Sequence, residues 1–214
     1  MNILSAIKSR RSVRKFSKRI VTNQVIEQII SSCIWAPSAC DVQGWRFIVI
    51  TEDSIKRHIV EMGAASFIKG SPAGILVLYD NRTDNLEYMD HIQSASAAIQ
   101  NMLLAAHSMG LGSCWVCHLP PKKQIRRLLK IPHNYDPIAY VAMGYFDIKL
   151  KPRPRKKEIS QLISYNCYKI NESIPPKVNL RLSAKRILRK GYYKLPFRKH
   201  IKATVDDLFE KRFE

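Results

Sequence analysis

Residues 74–79, GILVLY, constrain the fold more than any other part of the chain. A strand of this composition has no polar face, so the pleat cannot turn one side to water. Such a strand is buried on both sides. The segments around it read as alternating helices and strands. Ile3, Leu4 and Ile7 predict a short amphipathic helix. Thr22 can cap a second helix, in which Val25, Ile26, Ile29, Ile30 and Cys33 share one face. Pro37 predicts its end near Trp35, because a proline disfavours a helical residue before it. Residues 45–50 predict a short strand, and a charged helix begins near Asp53. The longest periodic segment runs over residues 88–109. Its small residues, Ser94 to Ala98, allow close approach of another backbone, and Gly110 can end it. Residues 113–117 and 138–145 predict two more strands, with a helix over 121–129 between them. The alternation predicts an α/β or α+β domain.

The chain has 214 residues, 46% of them apolar, enough for one packed domain with an appendage. It holds no apolar run of 18 residues and no basic start leading into an apolar signal core, so a cytoplasmic protein with no membrane partner is expected. Five cysteines form an odd set without the density of a disulfide scaffold, which fits a reducing compartment. The formal net charge is +19, and residues 149–202 hold seventeen Lys and Arg against Glu158 and Glu172. Most of the positive field therefore belongs to the last third, where it can attract phosphate, anionic lipid, nucleic acid or an acidic protein. Beyond Ile170 the texture changes, with a Pro175-Pro176 break, a basic segment over 180–193 and a possible closing helix over 200–213. The expected division is a main domain over 1–170 and a basic extension over 171–214.

Three constellations could carry chemistry. Arg10, Arg11, Ser12 and Arg14 follow the first helix. Guanidinium forks bind phosphate bidentately and a serine adds a neutral donor. An exposed basic turn is the alternative. Pro37, Ser38, Ala39, Cys40, Asp41 and Gln43 form a constrained loop between a helix and a strand, with side chains suited to the polar edge of a planar ring. Arg153 and Arg155 stand two apart in a proline-held extended segment, so both can face one anion.

In order and spacing these segments resemble the nitroreductase family. The resemblance rests on RRSVRKF at the start, APSACDVQGWRFIV in the loop, GLGSCWV after the long helix, and MGY followed by KPRPR. It implies an α+β sandwich with a central, mainly antiparallel sheet flanked by helices, and a homodimer that binds FMN at its interface. Arg10, Arg11, Ser12 and Arg14 would contact the phosphate, ribityl chain and N1–C2 edge of the flavin, with Arg153 and Arg155 completing the phosphate site. Pro37, Ser38, Ala39, Asp41 and Gln43 would border the ring from the partner subunit. Trp115, Val116 and Cys117 would lie near its reactive nitrogen, and the helix over 88–109 would be the dimer helix. Cys40, Asp41 and Gly44 depart from the family pattern, which has a small residue, Asn and Pro there.

The implied activity is two-electron reduction of a small acceptor, nitroaromatic or quinone-like, by ping-pong transfer through the flavin. NAD(P)H or an acidic electron-transfer protein would be the donor. No side-chain nucleophile or base is required, so no catalytic residue is expected, nor any metal. A basic nucleic-acid-binding or electron-carrier-docking protein using the C-terminal third is the alternative, although no RNA-binding aromatic signature accompanies the charge and nucleic acid is not the expected partner. Cys114-Trp115-Val116-Cys117 is a C-x-x-C motif, but it lies in a strand-like run that would point the two thiols to opposite faces.

Overall fold

A computed structural model of the protein describes residues 2–83, 85–150, 153–170 and 179–192. The chain divides into two compact units, Met1–Lys151 and Pro152–Glu214. In the first, α1 (Ile3–Ser9) and α2 (Asn23–Cys33) precede β1 (Trp45–Ile50) and α3 (Asp53–Glu61). Then follow β2 (Ala73–Asp80), α4 (Asp90–Ser108), β3 (Gly112–Val116), α5 (Lys122–Leu129) and β4 (Tyr135–Gly144). The second unit contains α6 (Leu180–Tyr192). The possible closing helix over 200–213 lies outside the described residues.

The four strands form one sheet in the order β1-β2-β4-β3, antiparallel throughout. The GILVLY run lies in β2, which is paired on both edges, and Ile75, Leu76 and Val77 are essentially inaccessible. Alternation divides this strand between two cores. Ala73, Ile75, Val77 and Tyr79 join Ile26, Ile29 and Cys33 of α2 and Ala98, Ile99 and Met102 of α4. Leu76 and Leu78 face the other way, with Ile59 and Val60 of α3, Ile125 of α5 and Tyr140 of β4. The domain is therefore an α+β sandwich with helices on both faces of the sheet. The small residues of α4 are used here: Ser94, Ala95 and Ala98 are buried, and α2 packs against this helix.

Thr22 caps α2 as its sequence predicts, its hydroxyl accepting the Val25 N–H. Two boundaries and one buried face differ. β4 begins at Tyr135 and takes in Pro137, which sits opposite Leu78 where the register shifts between Val77 and Leu78. Proline has no N–H for the ladder, and the bulge absorbs the missing bond. α4 begins at Asp90 because Met89 adopts a left-handed backbone (φ 48°). In α1, Ala6 faces inward while Ile3, Leu4 and Ile7 are exposed.

α5 is fixed to the sheet by one carboxylate. Asp136, at the start of β4, accepts from Lys122 and Arg126 of α5 and from Asn81 Nδ2 at 3.0 Å. Burial works against its charge, but Lys122, Asn81 and Arg126 outweigh it and hold the carboxyl below its ordinary range.

Candidate functional site

The arginine turn leaves α1 and runs along the outer edge of β3. Ser12 forms a parallel bridge to Ser113, and the Val13 N–H donates to the Ser113 carbonyl at 3.0 Å. Val13 is buried and anchors the turn from below. That seat exists because residue 112 is glycine: a Cβ there would meet Val13 Cβ at 2.7 Å and Phe146 Cδ1 at 2.8 Å. Arg11 bends back, its Nη1 donating to the carbonyls of Lys8 (2.7 Å) and Arg10 (2.8 Å) at the end of α1. Arg14 stacks its guanidinium on Phe67, 5.7 Å from the ring centre. The far end of α4 meets the turn through His107, whose Nε2 lies 2.8 Å from Ser9 Oγ. Burial, reinforced by the charges of Arg10 and Arg11, holds the His107 ring below its ordinary titration range.

Two polar atoms at this junction are buried without a protein partner, Arg11 Nε and Ser113 Oγ. Buried polar atoms in native folds are nearly always satisfied, so a ligand with acceptor oxygens has a place here. In an antiparallel strand successive residues turn their backbone groups to opposite edges. Since the Ser113 carbonyl faces the arginine turn, Trp115 presents its N–H on the same outer edge, and Cys117 follows just past the end of the strand. The Val116 side chain is buried in the core beside Ile125 and Tyr140, and its backbone faces β4.

Cys114 is buried and Cys117 exposed, both as free thiols. Burial raises the Cys114 thiol, although Arg14 and the Ser12 hydroxyl partly oppose the rise. Cys33, enclosed by the α2–α4 core, is pushed up to about 12 by the same cause. Among the described residues no group of three or more His, Cys, Asp or Glu is placed to hold a metal ion.

Residues 37–44 enter β1 at the other side of the sheet. Cys40, Asp41 and Gln43 take left-handed backbones (φ 50°, 54° and 49°), a conformation that costs a non-glycine residue about 1 kcal/mol or more. Four contacts hold the loop in that shape. Ser38 Oγ lies 2.7 Å from Tyr79 OH and accepts the Gln43 N–H at 2.9 Å, while Ser94 Oγ accepts the Ala39 N–H at 3.0 Å. Gln43 Nε2 donates to Asp41 at 2.7 Å. Two open depressions flank the loop, one of about 270 Å³ bordered by Cys40, Asp80, Asp90 and His91, the other of about 370 Å³ bordered by Trp35, Asp41, Gln43 and Trp45.

The nitroreductase family model matches residues 7–69 and 56–145. The chain belongs to the nitroreductase family. A protein of Methanothermobacter thermautotrophicus named as an NADH dehydrogenase/NAD(P)H nitroreductase is 36% identical over 149 residues, covering 68% of this chain and 78% of its own. A crystal structure from Parabacteroides distasonis, of a protein with the same name, aligns at a TM-score of 0.68 and 31% identity over 77% of this chain and 98% of that one. A Clostridium difficile protein described as an FMN-dependent nitroreductase aligns at 0.69 and 26% identity, over 78% of this chain and all of that one.

Within this nitroreductase-family fold the site residues fall into three groups. Ser12 pairs with Ser113 of β3, the strand that also carries Trp115 and Val116 and that Cys117 follows, while Arg11 folds back on the end of α1 and Arg14 lies over Phe67. Pro37, Ser38, Ala39, Asp41 and Gln43 sit together at the opposite edge of the sheet, beyond the start of β1. Arg153 and Arg155 are exposed and belong to the second unit. Sequence reading missed what holds the first two groups in place. Gly112, which the sequence presents only within GLGSCWV, is the seat of the arginine turn, while Tyr79 and Ser94 anchor the loop. The departure at Gly44 has a local reason, since a Cβ there would press on Asp80 Cβ and Tyr79 Cε1, each at 3.0 Å. Among the described residues no helix is long and apolar enough to cross a membrane.

Proposed function

We propose that the chain is an FMN-dependent oxidoreductase, passing two electrons from NAD(P)H or a protein donor to a small nitroaromatic or quinone-like acceptor. We further propose that it works as a cytoplasmic homodimer with the flavin at the interface. The observation that carries the reading is the separation of the two ring-binding segments. Trp115 lies on one edge strand and pairs with Val141, whose level in β2 is Ile75, while Gly44 lies beside Asp80 at the other edge. Three strand spacings across and five residues along make roughly 22 Å. One flat three-ring heterocycle cannot touch both places in a single chain. A second copy, bringing its own loop to the first copy's β3, resolves the conflict. The exposed apolar residues around the loop and α1, including Trp35 at 85% and Ile3 at 63%, support such a contact.

The residues at the turn suit FMN. Arg10 and Arg11 would hold the phosphate, with Arg153 and Arg155, while Ser12 would hold ribityl oxygens. Arg11 Nε and Ser113 Oγ are the buried groups such oxygens would satisfy. Arg14 would place positive charge near the N1–C2 edge, favouring the electron-rich form of the ring. The Trp115 or Cys117 N–H would donate toward the reactive nitrogen. Pro37, Ser38, Ala39, Asp41 and Gln43 of the partner subunit would close the ring's other side. Bound FMN supplies the redox chemistry, taking electrons from one substrate and giving them to the next in the same pocket. The protein's part is orientation and electrostatics, so no side-chain acid, base or nucleophile enters. The basic extension beyond Ile170 would lie outside this machinery.

The test is the visible spectrum of the purified full chain with its oligomeric state. A yellow dimer whose colour bleaches anaerobically on adding NADH, NADPH or a reduced carrier protein supports the reading. A colourless protein that does not take up added FMN overturns it.

A further inference from the structure

We propose that α6 is a membrane-surface helix that lays the protein on anionic lipid bilayers. The proposal rests on the second unit alone and is independent of the flavin. In α6 (LRLSAKRILRKGY) five of thirteen residues are Lys or Arg and none is acidic. Placed at 100° per residue, Leu180, Ala184, Ile187 and Leu188 fall on one face, with Arg186 well away from it. That face is bare: Leu180, Ile187 and Leu188 are 79%, 70% and 61% exposed. An exposed apolar face of three large side chains on a charged helix marks a surface that something else covers.

Charge identifies the cover. From Ser173 to Val205 the sequence holds ten Lys and Arg and no Asp or Glu. An anionic surface is the complement, and the apolar face narrows the choice. A nucleic acid would use the charges and leave Leu180, Ile187 and Leu188 exposed, because phosphate contacts dominate that affinity. An anionic bilayer uses both, burying the apolar face at the boundary of headgroups and acyl chains while the basic residues meet the lipid phosphates. Tyr192 ends the helix and Tyr193 and Phe197 follow it in the sequence, residue types that favour the interfacial layer. The expectation of no membrane partner came from the lack of a spanning run. A helix lying in the interface needs none, since a short amphipathic segment suffices.

Flotation of the full chain with vesicles tests this. The protein should float with vesicles of phosphatidylcholine and phosphatidylglycerol, and at least about tenfold more weakly with phosphatidylcholine alone. Raising salt from about 0.1 M to about 1 M, which shortens the screening length from about 10 Å to about 3 Å, should release it. The pair Ile187→Ser and Leu188→Ser keeps every charge. It should weaken vesicle binding by about tenfold or more while leaving any binding to a homopolymeric RNA unchanged. Unaltered absorbance and oligomeric state would show that the variant is otherwise folded. The proposal fails if the parent chain does not float with the anionic vesicles, or if the serine pair floats as well as the parent.

Discussion

Replacing Gly112 with alanine should loosen the arginine turn from β3 and with it the grip on FMN. The new Cβ would stand 2.7 Å from Val13 Cβ and 2.8 Å from both Val13 Cγ1 and Phe146 Cδ1. Carbon atoms in good contact lie about 3.5–4.0 Å apart, so each contact is short by about 1 Å. Val13 cannot swing aside, because its χ1 is restricted by branching and its N–H is bonded to the Ser113 carbonyl. The relief must come from the backbone of the turn, at a cost of about 2 kcal/mol. For a domain of this size that lowers Tm by roughly 4–8 °C. Displacing Arg10, Ser12 and Arg14 together should also weaken FMN by about tenfold or more, the worth of one charge-assisted hydrogen bond. Gly70→Ala is the control, since nothing lies within 4 Å of its added Cβ, and it should change stability by less than about 0.5 kcal/mol. Thermal unfolding of the apoprotein and fluorescence titration with FMN read the two effects separately. If Gly112→Ala matches Gly70→Ala in both, the reasoning about the turn's seat is wrong.

Other expectations follow from the same contacts. Asp136→Asn should lower Tm at neutral pH by roughly 4–8 °C through the loss of about 2 kcal/mol of charge-assisted bonding. Because the folded-state value of Asp136 is depressed, its contribution is present above the ordinary carboxylate pKa of about 4 and fades as pH falls through the lower folded value. Parent and variant unfolding curves should therefore converge in acid, and a gap that stays constant with pH would contradict the assignment. FMN binding should move the His107 titration, followed by NMR, to higher pH, because a phosphate at the turn opposes the charges of Arg10 and Arg11. An unmoved His107 would place the phosphate elsewhere. Changing Arg153 and Arg155 together to alanine should weaken FMN retention by about 100-fold, the worth of roughly two charge-assisted bonds. Equal titration curves for that variant and the parent would remove both residues from the phosphate site.

Much of the fold can be read from local chemistry. Thr22 as a cap, the apolar GILVLY run and the periodic face of α2 each report on their own neighbourhood, and each element lies where its pattern puts it. The start of β4 was hidden because Pro137 argues against a strand, and only the bulge at Ile138 beside it, where β4 carries one residue more than β2, makes the proline tolerable. The apolar face of α1 suggested a buried stripe, yet Ala6 takes the inward position and Ile3, Leu4 and Ile7 remain for another surface. The arginine turn and the loop were legible as motifs, because guanidiniums and short polar side chains announce their chemistry. What supports them was not. The close approach at Gly112 depends on Val13, about a hundred residues away, and the loop's left-handed backbone depends on Tyr79 and Ser94 from other elements. Long-range packing of that kind leaves no local pattern to read.

The most direct measurement of the interface claim uses two damaged subunits. One carries Arg10→Ala with Arg14→Ala, removing the turn's charges. The other carries Ala39→Trp, filling the loop side of the proposed ring site. Neither should hold FMN as a homodimer. In the mixed dimer, purified by two different tags, one interface combines an intact turn with an intact loop, so one flavin should bind per pair. If turn and loop of the same chain formed the site, every site in the mixed dimer would be damaged and the preparation would stay colourless.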